Sequence, residues 1–245
     1  MNTSDTRRFG GISRLFGADG YEKLAQANVV VVGLGGVGSW AAEALVRTGV
    51  GSITIIDGDR VELSNTNRQM PAMQGNYGSY KAEVLAQRFQ KINPQLNIKA
   101  LCEFVHEDNF DALIGSCDVI VDCIDSVSDK TALIAWAHAK GHTIIVSGGA
   151  GGKIDPTQVS YGDLACAQGD SLIAVVRQQL RKKYGFAKGS GQIKKQKPWG
   201  IETVYSPEER RQSADGYEGF GVFVGVTATA GMLLAQRAVM RILGK

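Results

Sequence analysis

The chain has 245 residues, 27 Lys and Arg against 24 Asp and Glu, a formal net charge of +3 and 44% hydrophobic residues. That length suffices for one large α/β domain, or a domain with an appended lobe, around a real core. No basic, apolar, small-residue leader is visible, and the four cysteines (Cys102, Cys117, Cys123 and Cys166) form no C-x-x-C pair, so the expected setting is reducing and cytoplasmic, with no membrane role.

Residues 1–27 read as an N-terminal arm, and residues 28–160 as a Rossmann-like nucleotide-binding domain opened by the run V-V-V-V-G-L-G-G-V-G, Val29 to Gly38. A buried parallel strand here turns through glycines into a helix whose N-terminus favours an anion. Gly33 allows the tight turn, Gly35 lets the backbone approach a phosphate, and Gly38 lets the helix pack on the strand. Apolar residues at Val37, Ala41, Ala44, Leu45 and Thr48 predict a helix over Gly36 to Thr48. The next strand, S-I-T-I-I-D, ends in Asp57, placed to hydrogen-bond a ribose of either NAD or ATP, while Asp59 reads as a loop residue or a support behind the ligand-binding groups, not a ligand itself.

Residues further along the chain separate the two nucleotides. S-N-T-N-R-Q (Ser64 to Gln69), Lys81 and Asp125 crowd charge around the phosphates, which a dehydrogenase does not need. An enzyme that adenylates a carboxylate does need it, because each close pair of like charges costs on the order of 4 kcal/mol at an effective dielectric of about 20. Arg68, Lys81 and a magnesium ion at Asp125 supply the compensating charge.

Ser79 is placed to cap a helix over Lys81 to Asn93, which Pro94 ends. Strands are predicted at Ile98 to Leu101, Val119 to Asp122 and Thr143 to Val146, with a helix near Asp129 to Ala139. This alternation predicts a doubly wound, mainly parallel sheet with its ligand crevice at the carboxyl ends of the strands, and then a C-terminal extension. His138 and His142, a helical turn apart, are a weak metal pair without a third ligand nearby in sequence. G-G-A-G-G-K, Gly148 to Lys153, fails the P-loop pattern, with Ser147 and Ile154 at the deciding positions. It reads either as a flexible floor that lets the substrate carboxylate approach ATP or as an unstrained crossover loop.

Residues 161–218 read as a basic substrate-contact segment. Arg177, Arg181, Lys182, Lys183, Lys188, Lys194, Lys195 and Lys197 occur there without an intervening acidic residue, a plausible RNA-backbone contact. Residues 219–245 read as a packing helix within the same structural unit; the run Gly221 to Ala235 is too short and too glycine-rich to span a membrane.

Gly33, Gly35, Gly36 and Gly38, then Asp57 and Asp59, Ser64, Asn65, Arg68 and Gln69, Lys81, and finally Asp122 and Asp125 reproduce the order and spacing of a known pattern. In these motifs the chain resembles the E1-like activating enzymes, the group containing the molybdopterin-synthase and thiamine-biosynthesis adenylyltransferases. The resemblance implies an ATP- and Mg²⁺-dependent adenylation fold, with Asp57 on the ribose, Asn65 and Arg68 on the phosphates, Lys81 near the α-phosphate and Asp125 on the magnesium. Many relatives carry Asn after that last aspartate where this chain has Ser126. The family also uses an arginine of the N-terminal arm, often across a homodimer; Arg14 is the candidate here and Arg8 its rival. Sulfur-transfer members bind zinc through two C-x-x-C pairs, which this chain lacks, so no structural zinc is expected.

Within the family, R-F-G-G-x-x-R-L-F-G, N-T-N-R-Q, I-D-S-V-S-D-K and G-G-A-G-G-K-I-D-P-T-Q resemble the branch that dehydrates threonylcarbamoyladenosine in tRNA, although the stretch between Tyr205 and Gly219 is short for it. That implies ATP-dependent cyclisation of the modified adenosine at position 37 through a carboxyl-adenylate, with AMP and pyrophosphate released. The implied partners are the modified tRNA, a second copy of the chain and, by family resemblance, cysteine desulfurase or sulfur-acceptor proteins. The alternative is adenylation of the C-terminus of a ubiquitin-like sulfur carrier.

Overall fold

The computed structural model describes residues 7–187, 197–212 and 219–245. Helix α1 (Gly10–Gln26), kinked at Gly17, leads into β1 (Asn28–Val32), α2 (Gly38–Thr48) and β2 (Ser52–Ile56). Then come α3 (Lys81–Ile92), β3 (Asn97–Leu101), the short α4 (Phe110–Leu113), β4 (Val119–Asp122), α5 (Val127–Ala139) and β5 (Ile144–Ser147). The chain closes with β6 (Ser160–Asp163), α6 (Ser171–Lys183), β7 (Glu202–Tyr205) and α7 (Val224–Leu243).

The strands form one seven-stranded sheet in the order β3-β2-β1-β4-β5-β7-β6. All neighbours are parallel except β6 and β7. This is a doubly wound α/β fold of Rossmann type. The alternation of side chains along each strand divides the core between two faces. Val29, Val31, Ile53, Ile55 and Val121 pack with Leu45, Leu85 and Leu234, from α2, α3 and α7. Val30, Val32, Ile120 and Val146 point the other way and pack with Phe110, Leu133 and Leu180, from α4, α5 and α6. Burial on both faces explains why β1 reads as an unbroken run of valines.

The order of strands reverses between β1 and β4, so the crevice at their carboxyl ends is the switch point where such sheets bind ligands. At that point Gly33 has φ +86, and a Cβ on it would lie 2.8 Å from the carbonyl oxygen of Cys123. A Cβ on Gly38 would fall 1.8 Å from the Gly33 carbonyl oxygen, so α2 can start this close to β1 only as glycine.

Some local expectations need correction. Ser79 does not cap α3: Tyr80 holds the N-cap position without a side-chain cap bond, and the Lys81 N–H instead donates to the Asp59 carbonyl at 3.0 Å. His138 and His142 do not pair, since His142 stacks on Trp136 and His138 on Phe186, with ring centroids 4.9 and 5.0 Å apart. Both imidazoles therefore pack against aromatic rings. Among the described residues no three His, Cys, Asp or Glu side chains gather as a metal site, and no helix is long and apolar enough to cross a membrane.

Candidate active site

A cavity of about 1040 Å³ opens at the switch point. Gly33, Gly35 and Gly36 line it together with Asp57, Asn65, Arg68, Lys81, Asp125 and Ser126, residues spread over 94 positions of sequence (33 to 126). Four other candidate residues do not line it in this chain. Gly38 lies beneath the turn as a packing residue. Ser64 donates its hydroxyl to Glu62 Oε2 at 3.1 Å. Arg14 sits exposed on α1, and Arg8 donates to the Ile92 carbonyl.

The glycine turn meets the requirements of a phosphate cradle. A Cβ on Gly35 would touch only Gln69 Nε2, at 3.8 Å, so the backbone at Gly35 faces open space. Val37, at the N-cap of α2, makes no side-chain cap bond, which leaves the positive end of that helix turned to the cavity. The buried Asp57 anchors the turn from below. Its Oδ2 accepts from the Leu34 N–H at 2.6 Å and its Oδ1 from the Asp59 N–H at 2.8 Å. Burial pushes its carboxyl pKa up, against the downward pull of Lys81 and these two backbone donors.

The cations are held differently. Lys81, buried at the start of α3, pairs with Asp59 at 2.7 Å, so that carboxylate supports the site by fixing the ammonium. Arg68 donates from Nη1 to the Ser64 carbonyl at 2.9 Å and to Asn67 Oδ1 at 3.0 Å. Asn65 is buried and its Oδ1 accepts from the Glu62 N–H at 3.1 Å, half of a capping box that shapes the Leu63–Asn65 turn carrying Arg68. On the opposite wall the exposed Asp125 has no hydrogen-bond or ion-pair partner among the described residues. Next to it Ser126 donates to Asp129 Oδ2 at 2.6 Å, and the same carboxylate lies 3.3 Å from His106 Nδ1. Ser126 is thus committed to the start of α5.

Sequence reasoning passed over several of the pairings that build this site. Asp122 and Lys130 form a fully buried pair at 2.9 Å beneath the loop that presents Asp125, and burial raises the Asp122 pKa despite Lys130. Lys153 and Asp170 form a second buried pair at 2.8 Å. Lys153 also donates to the Ser206 carbonyl at 2.7 Å, and Asp170 accepts the Gly149 N–H at 3.0 Å. The loop Gly148–Lys153 is therefore fastened from below, against the reading of it as a flexible floor. Arg60, over the Tyr80 ring at 3.9 Å, and Arg210, over the Phe220 ring at 4.7 Å, also line the cavity. A regular motif carries neither arginine; Arg210 stands within a charged stretch, E-E-R-R, residues 208–211.

Positive charge around a glycine turn, faced by the unpaired carboxylate of Asp125, suits a nucleotide triphosphate beside an incoming anion, the arrangement of E1-like adenylating enzymes. Residues 11–245 match the ThiF family, and the chain belongs to that family. The tRNA threonylcarbamoyladenosine dehydratase of Escherichia coli (strain K12) is 40% identical, with 98% of this chain and 94% of that protein covered. The protein of the same name from Haemophilus influenzae is 38% identical, over 98% of this chain and 94% of its own length. A crystal structure of the E. coli tRNA N6-threonylcarbamoyladenosine dehydratase in complex with ATP matches with a TM-score of 0.92 at 40% identity, covering 99% of this chain and 96% of that one.

Proposed function

We propose that this protein is an ATP-dependent tRNA threonylcarbamoyladenosine dehydratase. The reading is carried by the cavity at the β1/β4 switch point, where the glycine turn, Arg68 and Lys81 face the unpaired Asp125, in a chain similar over nearly its whole length to dehydratases of that name.

ATP lies with its ribose on Asp57 and its phosphates on the backbone of the glycine turn at Gly35 and Gly36, reached by Asn65 and Arg68. The threonyl carboxylate of the modified adenosine attacks the α-phosphorus, and the bond to pyrophosphate breaks. An intramolecular nitrogen or oxygen then attacks the activated carbonyl, expelling AMP and closing the ring with net loss of one water. Lys81, held by Asp59, lies where the α-phosphate gathers negative charge. A magnesium ion, which needs only one or two carboxylates beside phosphate oxygens, would be held by Asp125 and would shield the phosphates as the two anions meet. Ring closure needs no covalent enzyme intermediate, because effective molarities of well-placed groups reach on the order of 10⁵ M. The cysteines agree: burial pushes the Cys117 thiol up to about 11, and Cys102 and Cys166 are raised too, so at neutral pH these sulfurs are poor nucleophiles.

Arg14 is exposed on α1 beside Leu15, itself 71% exposed, and stands outside this chain's cavity. We read it as contributed to the phosphates of a second copy in a homodimer. For the tRNA, Lys182 and Lys183 are exposed at the end of α6 and Lys197 is exposed near them in sequence. Arg177 instead donates inward to the Leu164 and Ala167 carbonyls, and Arg181 lies 5.3 Å over the Trp199 ring. Lys188, Lys194 and Lys195 lie outside the described residues.

The test is mass spectrometry of nucleosides from threonylcarbamoyl-modified tRNA incubated with the protein, with and without Mg-ATP. Loss of one water only when ATP is present supports the reading. Unchanged nucleosides, with pyrophosphate released instead on a ubiquitin-like sulfur carrier, would replace it with the alternative.

A further inference from the structure

The cavity has two ends. Arg60, Arg68 and Lys81 stand on the side of the glycine turn, and each is engaged: Arg60 donates to the Gly78 carbonyl at 2.7 Å, Arg68 to Ser64 and Asn67, and Lys81 to Asp59. The other end, walled by Gly149, Leu172 and Phe220, contains a single Lys or Arg among the described residues, Arg210. Its guanidinium lies over the Phe220 ring, its Nε is buried without a hydrogen-bond partner, and it has no ion pair among the described residues. An arginine desolvated on one face and left without an acceptor is poised for an anion from outside.

The setting is built for this arginine. A Cβ on Gly149 would lie 2.6 Å from Arg210 Nη2, so the glycine leaves room for the guanidinium to lie against the loop. That loop is tied on both sides, with the Gly152 N–H donating to the Gly221 carbonyl at 2.8 Å and the Arg211 N–H to the Gly152 carbonyl at 2.7 Å. The buried Lys153–Asp170 pair fixes it from below. Phe220 and Arg210 are thus carried by two segments laced to one floor.

We infer that Arg210, backed by Phe220, binds the threonyl carboxylate of the modified adenosine and holds it for attack on the α-phosphorus. This deepens the dehydratase reading and rests on it. Arg210 takes one carboxylate oxygen in a charge-assisted hydrogen bond and leaves the other free to attack, while its charge lowers the repulsion between carboxylate and phosphates. Because ATP uses the opposite end, the arginine selects the RNA substrate and not the nucleotide.

The experiment compares Arg210→Ala, Arg210→Lys and Gly149→Ala with the unaltered protein, which must itself cyclise modified tRNA; if it does not, the dehydratase reading fails and not Arg210. Calorimetry should leave Mg-ATP affinity within about twofold, while kcat/KM for modified tRNA falls on the order of 10²-fold in Arg210→Ala. The preference for modified over unmodified tRNA in binding should fall with it, since only the modified nucleoside carries the carboxylate. Arg210→Lys should restore part of the loss, and Gly149→Ala should lower kcat/KM by displacing the guanidinium, with Arg210 still present. Unchanged kcat/KM in folded Arg210→Ala overturns the inference. So does equal loss of modified and unmodified tRNA, which would make Arg210 a contact to backbone phosphate, or a parallel loss of ATP affinity, which would return it to the nucleotide. Should Arg210→Ala not fold, the Gly149→Ala protein decides by the same three readings.

Discussion

Asp122 and Asp125 stand three residues apart and face opposite physical problems. The first is fully buried, paired with Lys130 at 2.9 Å and raised in pKa by that burial. The second is exposed in the cavity without a partner among the described residues, and so is free to take a metal ion. Removing each should therefore fail differently. Asp125→Ala should fold and melt like the unaltered protein yet lose adenylation by on the order of 10³-fold, measured as pyrophosphate release, if Asp125 holds the proposed magnesium ion, with which several kcal/mol of charge stabilisation would go. Near-normal turnover in that variant would take Asp125 out of the mechanism. Asp122→Ala leaves the Lys130 ammonium buried and unpaired, which typically costs about 3–5 kcal/mol. Its loss should appear in denaturant midpoints, with activity falling only as the folded fraction falls.

The central elements are legible in sequence because their burial is simple. β1, β2 and β4 are apolar throughout or nearly so, and the glycines at the switch point have one physical solution. The edge elements are hidden by polar residues whose partners are distant. β7 reads as E-T-V-Y, but Glu202 is buried because Arg237 and Arg241 reach it from α7, the latter at 2.9 Å. β6, S-Y-G-D, is half exposed and pairs only with β7, so it carries almost no apolar signal. The same holds in the site: Asp57, Arg68, Lys81 and Asp125 follow a motif in order, whereas Lys153 meets Asp170 across 17 residues and Arg210 lies 61 residues from Gly149. Spacing alone cannot show such a meeting. Lys153→Met tests what the hidden pair does for the floor. It leaves Asp170 buried without its cation, so Tm should drop by on the order of 10 °C, and ATP affinity at the far end should survive in the folded fraction. An unchanged Tm would mean that Asp170 is satisfied by the Gly149 and Ile173 N–H groups alone, at 3.0 and 3.1 Å.

For the whole molecule the question is how the cavity at the switch point engages a large RNA and, by proposal, a second copy of the chain. If Arg14 serves the partner's cavity, Arg14→Ala and Arg68→Ala proteins should each be inactive, yet mixing them should restore up to about a quarter of full activity, since random pairing leaves one intact site in half of the dimers. No recovery on mixing would confine both arginines to roles within one chain. The RNA prediction rests on α6, whose first turn supplies Ser171, Leu172 and Val175 to the cavity wall. Its last residues, Lys182 and Lys183, stand about 18 Å further along the axis at 1.5 Å per residue. An anticodon loop with its modified nucleoside in the cavity would extend its backbone toward that end, where the lysines meet phosphate without reading sequence. Replacing Lys182, Lys183 and Lys197 together by Gln should weaken tRNA binding and make the dependence of log K on log salt shallower, by roughly 0.7 to 0.9 for each phosphate that is no longer neutralised. The preference for modified over unmodified tRNA should be untouched, because these charges lie away from the carboxylate. An unaltered salt slope would place the RNA on another face, and a lost preference would place these lysines at the modified nucleoside itself.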